Sequence, residues 1–369
     1  MPGTVRARQG DLTVPGFHRL RVAEVDRLCA DAVAVTFDVP DELRDTFAFR
    51  AGQYLTLRRH VDTAGGPREE RRSYSLCAPE GARPRVGVRR VATGLFSEWL
   101  VDRVEPGDEI EVGPPTGRFT PELTPATHHA LLAAGSGITP VLSIAATVLA
   151  AHPDNRVTLL YGNRRTDTVM FTEELSDLKN VHGPRLQLAH VLSREPMAAE
   201  IFSGRLDADR MRALLTGLVP VPDIDQWWLC GPLGMTTDAR QVLTELGVPA
   251  DRVHRELFYV DEPPPEPVRP DDAADGDDGA AATVILNGRS TQLTLPRAVP
   301  VLDAAQRVRS DLPFACKGGV CGTCRARVTG GEVRMRRNFA LEDDEIEAGF
   351  VLTCQSLPVS DTLVVDYDS

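Results

Sequence analysis

Cys316-Lys317-Gly318-Gly319-Val320-Cys321-Gly322-Thr323-Cys324 is the most informative stretch of this 369-residue chain, and Cys354 follows it after 29 intervening residues. The spacing is C-x4-C-x2-C…C, the plant-type pattern for a [2Fe–2S] cluster. Two irons bridged by two sulfides need four thiolates, and one tight loop can supply three of them. Gly318, Gly319 and Gly322 let the backbone fold closely around inorganic sulfur and aim N–H groups at it. A structural zinc site usually takes two C-x2-4-C pairs, whereas here the fourth cysteine stands alone without a neighbouring His. The expected metal ligands are therefore Cys316, Cys321, Cys324 and Cys354.

Upstream of this loop, Thr283–Leu286 and Thr291–Leu295 read as a hairpin around Asn287-Gly288, the dipeptide that favours a tight two-residue turn. Residues 261–282 precede it. They hold eight acidic side chains against Arg269 alone, together with Pro263-Pro264-Pro265, and so carry most of the formal net charge of −12. A stretch this polar cannot bury a core and is expected to be a partly extended linker.

From His129 onward apolar strands alternate with helical stretches. The strands are Ala130–Ala134, Val157–Tyr161, Leu186–Leu192, Trp227–Leu229 and Val253–Phe258, and helices are expected over Val141–Ala151, Phe171–Leu178, Asp207–Leu215 and Leu233–Leu246. This alternation predicts a doubly wound parallel sheet. Residues 17–118 differ. Short β segments at Leu20–Val25, Ala34–Val39, Tyr54–Leu57, Ser73–Cys77 and Pro84–Val91, broken by turn-rich stretches such as Thr63–Pro67, predict an antiparallel β-barrel. The expected domains are a barrel over 1–120, an α/β domain over 121–260, the linker over 261–282 and an α+β cluster domain over 283–369.

Two motif sets belong to the first two domains. Arg72-Ser73-Tyr74-Ser75 ends a β segment, and Gly94-Leu95-Phe96-Ser97 precedes a helical turn at Ser97–Val101. An arginine can clamp a pyrophosphate, an aromatic ring can lie against an isoalloxazine, and a hydroxyl can reach flavin N5. Alone, R-x-Y-S reads equally as a surface turn, and its value lies in combination. The Gly–Ser pair offers N–H groups and a second hydroxyl to phosphate at a helix start.

In the α/β domain the first strand runs into Gly135-Ser136-Gly137-Ile138-Thr139-Pro140. The glycines let a pyrophosphate approach a helix N-terminus, and Pro140 suits the first helical position. Strand Val157–Tyr161 ends in Gly162-Asn163-Arg164-Arg165, two arginines with no adjacent acid. That favours the 2′-phosphate of NADPH over the free ribose of NADH, although the arginines also read as caps of the following helix. Ser193-Arg194 offers a further phosphate contact. Cys230-Gly231-Pro232 ends the fourth strand, where a thiol could meet the nicotinamide or merely pack.

Composition is that of an ordinary globular protein, 42% hydrophobic and 25% charged. The negative charge argues against a nucleic-acid partner. The most apolar region, His129–Ala151, is broken by Gly135-Ser136-Gly137 and Thr139-Pro140, so no membrane association is expected. The start of the chain is polar through Asp11, without the apolar segment of a leader, and a cytoplasmic location is the expectation. There thiols stay reduced, so Cys29 and Cys77 read as packing.

Taken in order, these motifs over residues 17–260 resemble the ferredoxin–NADP⁺ reductase superfamily. Glu256-Leu257-Phe258 matches the family's E-x-F ending, whose aromatic lies near the flavin. With a C-terminal ferredoxin domain of β-grasp type, residues 17–369 resemble reductase components of the multicomponent di-iron monooxygenases of phenylacetate degradation. The most specific stretches are Tyr161–Arg164 through Met170-Phe171, Ala315–Cys321, Val351–Ser356 and Val364–Asp368.

The resemblance implies FAD held by Arg72, Ser73, Tyr74, Ser75, Val88, Arg89, Gly94, Leu95, Phe96, Ser97 and Phe258. It implies NADPH held by Gly135, Gly137, Thr139, Pro140, Asn163, Arg164, Arg165, Ser193, Arg194, Cys230, Gly231 and Pro232. Tyr74, Ser75 and Cys230 would stand at the reacting atoms. Electrons would pass from NADPH to FAD, to the cluster and on to di-iron oxygenase subunits, the protein supplying position and electrostatics. A Rieske-type oxygenase such as a ketosteroid hydroxylase, served from NADH, keeps the chemistry and changes the client. A redox sensor with idle cofactors is the alternative of another class. Ala51 replaces the usual Pro before Gly-Gln, and Arg336-Arg337 replaces a commoner acidic–polar pair beside the cluster. With Lys317, Arg325, Arg327 and Arg334, these arginines give the expectation of a positive face that steers the domain onto an acidic partner.

Overall fold

The computed structural model describes residues 16–63, 66–92, 94–258 and 279–369. Residues 261–278 of the expected linker lie outside the described residues.

Six strands build the barrel: β1 (His18–Cys29), β2 (Ala32–Asp38), β3 (Tyr54–Thr63), β4 (Gly66–Ser75), β5 (Arg85–Arg89) and β6 (Glu109–Val112). Helix α1 (Leu95–Asp102) lies between the last two. The order is β4-β3-β6-β1-β2-β5, and the bridge between Leu76 and Val86 brings the open ends together. Strand alternation fills the interior with Leu20, Leu55, Leu57, Val86, Ile110 and Val112. β6 is absent from the sequence-based expectation. Its Glu-Ile-Glu-Val alternation is only four residues long and half acidic, so its apolar half is visible only once Ile110 and Val112 are seen facing inward.

The second domain alternates β7 (His128–Ala134), α2 (Ile138–Ala151), β8 (Arg156–Asn163), α3 (Thr172–His182), β9 (Leu186–Leu192), α4 (Ala208–Leu218), β10 (Gln226–Cys230), α5 (Leu233–Glu245) and β11 (Val253–Glu256). Every pairing is parallel, in the order β11-β10-β7-β8-β9. Val141, Ile144 and Val148 of α2 and Leu175 of α3 cover one face. Met211 and Leu214 of α4 and Val242 and Leu243 of α5 cover the other. The order reverses between β7 and β10, so a crevice opens at their C-terminal ends, where doubly wound sheets bind ligands.

The third domain contains β12 (Ala280–Leu286), β13 (Arg289–Leu295), α6 (Val301–Ala305), β14 (Arg325–Gly330), β15 (Val333–Met335), α7 (Asp343–Glu347), β16 (Phe350–Leu352), β17 (Ser356–Pro358) and β18 (Thr362–Asp366). Its main sheet runs β13-β12-β18-β14-β16, with β12 and β18 parallel at the centre. Asn287 and Gly288 take positive φ angles of 54° and 68°, as the hairpin reading requires. β12 starts three residues before the expected strand, so Ala280–Ala282 belong to the sheet and not to the linker. Ala282 packs in the core beside Leu363. No described helix is long and apolar enough to cross a membrane.

Candidate functional site

The cluster loop is wound by three left-handed residues, Lys317, Gly319 and Gly322, with φ of 51°, 80° and 68°. A Cβ on Gly319 would lie 3.1 Å from the Gln355 side chain and 3.4 Å from the Arg337 carbonyl oxygen. The four thiols lie as two neighbouring pairs, Cys316 with Cys321 and Cys324 with Cys354. Two pairs are what two irons need. The N–H of Gly318 donates to Cys316 Sγ over 3.3 Å, and Gln355 Nε2 lies 3.6 Å from Cys354 Sγ. The Cys321 thiol, and the N–H groups of Gly318, Val320 and Cys321, pull the Cys316 thiol below its ordinary value against the effect of burial. This donor-lined set of thiols fits a [2Fe–2S] cluster.

In the barrel, pairing places Arg72 opposite Leu57 and Tyr74 opposite Leu55, on one face of the β3–β4 hairpin. Ser73 and Ser75 take the other face. Arg72 is half-exposed and oriented by Glu70, 3.0 Å away. The Tyr74 ring lies 6.1 Å from that of Phe96. Val88 and Phe96 point into the barrel core, so only their backbones face outward from it. Leu95 is exposed. The Ser97 hydroxyl accepts from Val91 N and donates to the Gly94 carbonyl, so it closes the loop before α1 rather than standing open for phosphate. Arg89 Nε lies 3.4 Å from Asp31, and its Nη2 donates to the Thr168 carbonyl.

A cleft of about 370 Å³ on the barrel is lined among others by Arg19, Arg59, His60 and Trp99, with the Arg59 guanidinium 4.4 Å from the Trp99 ring centre. Sequence reading missed it. Its only sequence signal is the basic run Arg58-Arg59-His60, and Trp99 joins that run through folding alone.

At the crevice of the parallel sheet, Gly135 has φ of +56°, and a Cβ on Gly137 would stand 2.1 Å from the Cys230 carbonyl oxygen. Only glycine lets α2 start this close to β10. Pro140 is the third residue of α2, not the first. The carbonyl of Ser136 that its missing N–H leaves open accepts instead from the Thr139 hydroxyl at 3.0 Å. Asn163, buried at the end of β8, has neither side-chain amide atom hydrogen-bonded, an orphan suited to a polar ligand. Backbone bonds Ser193 N to Asn163 O and Arg194 N to Arg164 O bring the two basic loops side by side. Arg164 and Arg194 are exposed, while Arg165 turns to Asp167 at 3.3 Å.

Gly231 and Pro232 lead from β10 into α5. Cys230 is completely buried, and burial with the neighbouring Glu256 pushes its thiol well up, so it stays protonated. Glu256 itself is missing from the sequence-derived set. It lies beside Cys230 in register and accepts a hydrogen bond from Ser75 at 3.3 Å, and burial raises its carboxyl to about 8. Phe258, two residues on, is 38% exposed and free to cover a ligand.

Three of the six residues expected to form a positive docking face have partners within the cluster domain. Lys317 pairs with Asp303 at 2.8 Å, Arg325 with Glu345 at 2.9 Å, and Arg327 donates to the Ala348 carbonyl. Nor is the cluster domain separate. Arg71 donates to the Leu312 carbonyl and lies over Phe314, Arg118 pairs with Glu345, and Val320 packs on Leu257.

A barrel with a flavin motif, a nucleotide-binding sheet and a thiolate cluster loop define a pyridine-nucleotide-dependent flavin and iron–sulfur reductase. Family models agree: an oxidoreductase FAD-binding domain over residues 19–120, an oxidoreductase NAD-binding domain over 131–241, and a 2Fe-2S iron-sulfur cluster binding domain over 284–359. The chain is 39% identical over 357 residues to one of the subunits of 1,2-phenylacetyl-CoA epoxidase from Escherichia coli, covering 96% of this chain and 98% of that one. It is 37% identical over 358 residues to the ferredoxin reductase component of 3-ketosteroid-9-alpha-monooxygenase from Rhodococcus rhodochrous, covering 94% and 96%. The structure of phthalate dioxygenase reductase matches with a TM-score of 0.57 at 24% identity over 95% of this chain and 98% of that one, the same three-domain fold. The chain belongs to this family of oxygenase reductases, and its function is NAD(P)H-dependent electron transfer to an oxygenase.

Proposed function

We propose that this protein draws electrons from NADPH and delivers them to the di-iron oxygenase subunits that epoxidise phenylacetyl-CoA, in the cytoplasm. The observation that carries this reading is the end-to-end likeness to the epoxidase component, which spans the cluster domain as well as the reductase core. FAD, when bound, accepts two electrons as hydride and releases them singly, and the cluster accepts one.

The chain's own residues supply position. Arg72 and the N-terminus of α1 would hold the pyrophosphate, Tyr74 would flank the flavin ring, and Ser75 would reach its edge. The match of the barrel to an oxidoreductase FAD-binding domain supports FAD over FMN, and the Arg59–Trp99 stack could hold an aromatic base. Gly135, Gly137 and the start of α2 would take the NADPH pyrophosphate, Asn163 its polar edge, and Arg164 with Arg194 its 2′-phosphate. Arg165, turned to Asp167, is the weaker partner. Cys230 would border the nicotinamide as a neutral thiol, and Cys316, Cys321, Cys324 and Cys354 would ligate the irons. The barrel would occupy 1–120, the nucleotide domain 121–260 and the cluster domain 280–369.

Reconstitution tests the client. The protein should support NADPH-driven epoxidation of phenylacetyl-CoA by purified di-iron oxygenase subunits, and replacing it by buffer should stop turnover. The near-equal likeness to a ketosteroid monooxygenase reductase favours a second reading, a ketosteroid-hydroxylating client. Turnover of ketosteroid and none of phenylacetyl-CoA would establish that reading instead.

A further inference from the structure

The cluster loop and the flavin motif meet on the outer face of the β3–β4 hairpin. Tyr54 and Thr56 project from this face, opposite Ser75 and Ser73 in the strand register. Outward-facing positions of a barrel are ordinarily wet, yet Tyr54, Thr56 and Ser75 are all buried, with the cluster loop against Tyr54 and Glu256 of the parallel sheet against Ser75. The Tyr54 hydroxyl donates to the carbonyl of Cys321 at 3.3 Å and lies 3.0 Å from Thr323 Oγ1. Ser73 Oγ is 3.5 Å from the same Thr323 oxygen and 3.4 Å from Thr56 Oγ1. Thr323 stands between the cluster ligands Cys321 and Cys324, and Ser73 stands between Arg72 and Tyr74. A group of four hydroxyls therefore joins the two motifs.

The rest of the interface does different work. The Arg118–Glu345 and Arg240–Glu342 pairs lie toward its rim, where solvent screens them. Val320 against Leu257 buries area without direction, and Arg71 lies over Phe314 and adds one long bond, 3.5 Å, to the Leu312 carbonyl. Directional bonds at the centre set register, since a slip would leave buried hydroxyls unpaired.

We propose that Tyr54 and Thr323 are positioning residues for electron transfer, holding the Cys321–Cys324 loop against the flavin strand so that electrons enter the cluster from its Cys321 side. The inference rests on the electron order given above. NADPH loses hydride and becomes NADP⁺. The two electrons would leave the flavin one at a time: the first would turn one of the two ferric ions ferrous, pass on to the oxygenase and so free the cluster for the second, and the remaining proton would go to solvent.

The test uses the full-length holoprotein with Tyr54→Phe, Thr323→Val, the double variant, and Thr323→Ser as the conservative control. Rapid mixing with NADPH follows flavin and cluster reduction separately, and potentiometry gives the cluster's midpoint potential. Hydrogen exchange reports on the peptide covering residues 318–324. Cluster reduction should slow by roughly threefold to tenfold in either single variant, the factor a neutral hydrogen bond is worth. The double variant should be far less than additive, and Thr323→Ser should restore the rate. Exchange in the loop should rise, while flavin reduction and the cluster potential stay unchanged. Unchanged cluster reduction and exchange in both single variants would overturn the proposal, as would a slowing matched by a shift in potential. If the unmodified protein reduces its flavin but never its cluster, the electron order falls, and this inference with it.

Discussion

The Ser75 hydroxyl donates to Glu256 Oε2 across 3.3 Å and so joins the last residue of β4 to the last residue of β11, 181 positions apart. The contact spans the seam between the barrel and the parallel sheet, beside Cys230. A carboxyl removed from water is costly to ionise, and burial holds Glu256 near 8, partly offset by the serine. At neutral pH it is largely an uncharged carboxylic acid.

That raised value makes stability depend on pH with a definite sign. The folded form holds a proton that the unfolded chain releases near 4.5, so Glu256 contributes fully below that point. Its contribution is lost as pH rises through about 8. Glu256→Gln, which cannot ionise, should flatten the fall in melting temperature between pH 5 and 9, by on the order of 3 kcal/mol in unfolding free energy. Calorimetry across that range checks it, and parallel curves for both proteins would refute it.

His129 works in the opposite direction. Its buried ring accepts from Trp228 Nε1 at 3.1 Å, and burial lowers its pKa to about 4. Stability from this group is complete above about 6.5 and disappears as pH falls through 4. His129→Gln should shift the acid-unfolding midpoint, followed by tryptophan fluorescence, to lower pH. A midpoint that stays in place counts against the assignment.

Cofactor choice should depend on Arg164 and Arg194, which adjacent backbone bonds place together. Replacing both by Ala should raise KM for NADPH tenfold or more, since a charge-assisted hydrogen bond contributes about 1.5–3 kcal/mol. KM for NADH should barely move. Arg165→Ala alone should do little, because Arg165 already faces Asp167. Steady-state kinetics with both nucleotides decides.

Cys321→Ser should remove the cluster signal while FAD stays bound and NADPH–ferricyanide reduction continues, because the core of the cluster domain is separate from those of the barrel and the parallel sheet. Transfer to a one-electron protein acceptor should collapse. Loss of flavin along with the cluster would contradict this independence of cores.

Local signals carried much of the fold. Leu186–Leu192 is a strand over the very residues its apolar run suggests, and Asn287-Gly288 makes its turn because only such residues tolerate two positive φ angles in succession. The C-x4-C-x2-C loop was equally legible, since its chemistry lies within nine residues. What escaped was long-range. Tyr54 meets Thr323 across 269 positions, Glu256 meets Ser75 across 181, and Arg59 meets Trp99 only after α1 folds onto the barrel. Thr323, Ser75 and Glu256 sit in or beside motifs, but nothing in the sequence marks which residues will meet. The positive charges near the cluster are only partly legible for the same reason, because Lys317 and Arg325 find their acidic partners on α6 and α7.

The parallel pairing of β12 with β18 sets a timetable for synthesis. Residues 280–286 leave the ribosome well before residues 362–366, yet the strand at the centre of their sheet is the later one. Through that interval β12 has β13 on one side and an open edge on the other, while both upstream domains already hold every strand they need. Nascent chains should therefore bind flavin before they can hold iron, and the waiting hairpin is the segment most in need of a chaperone.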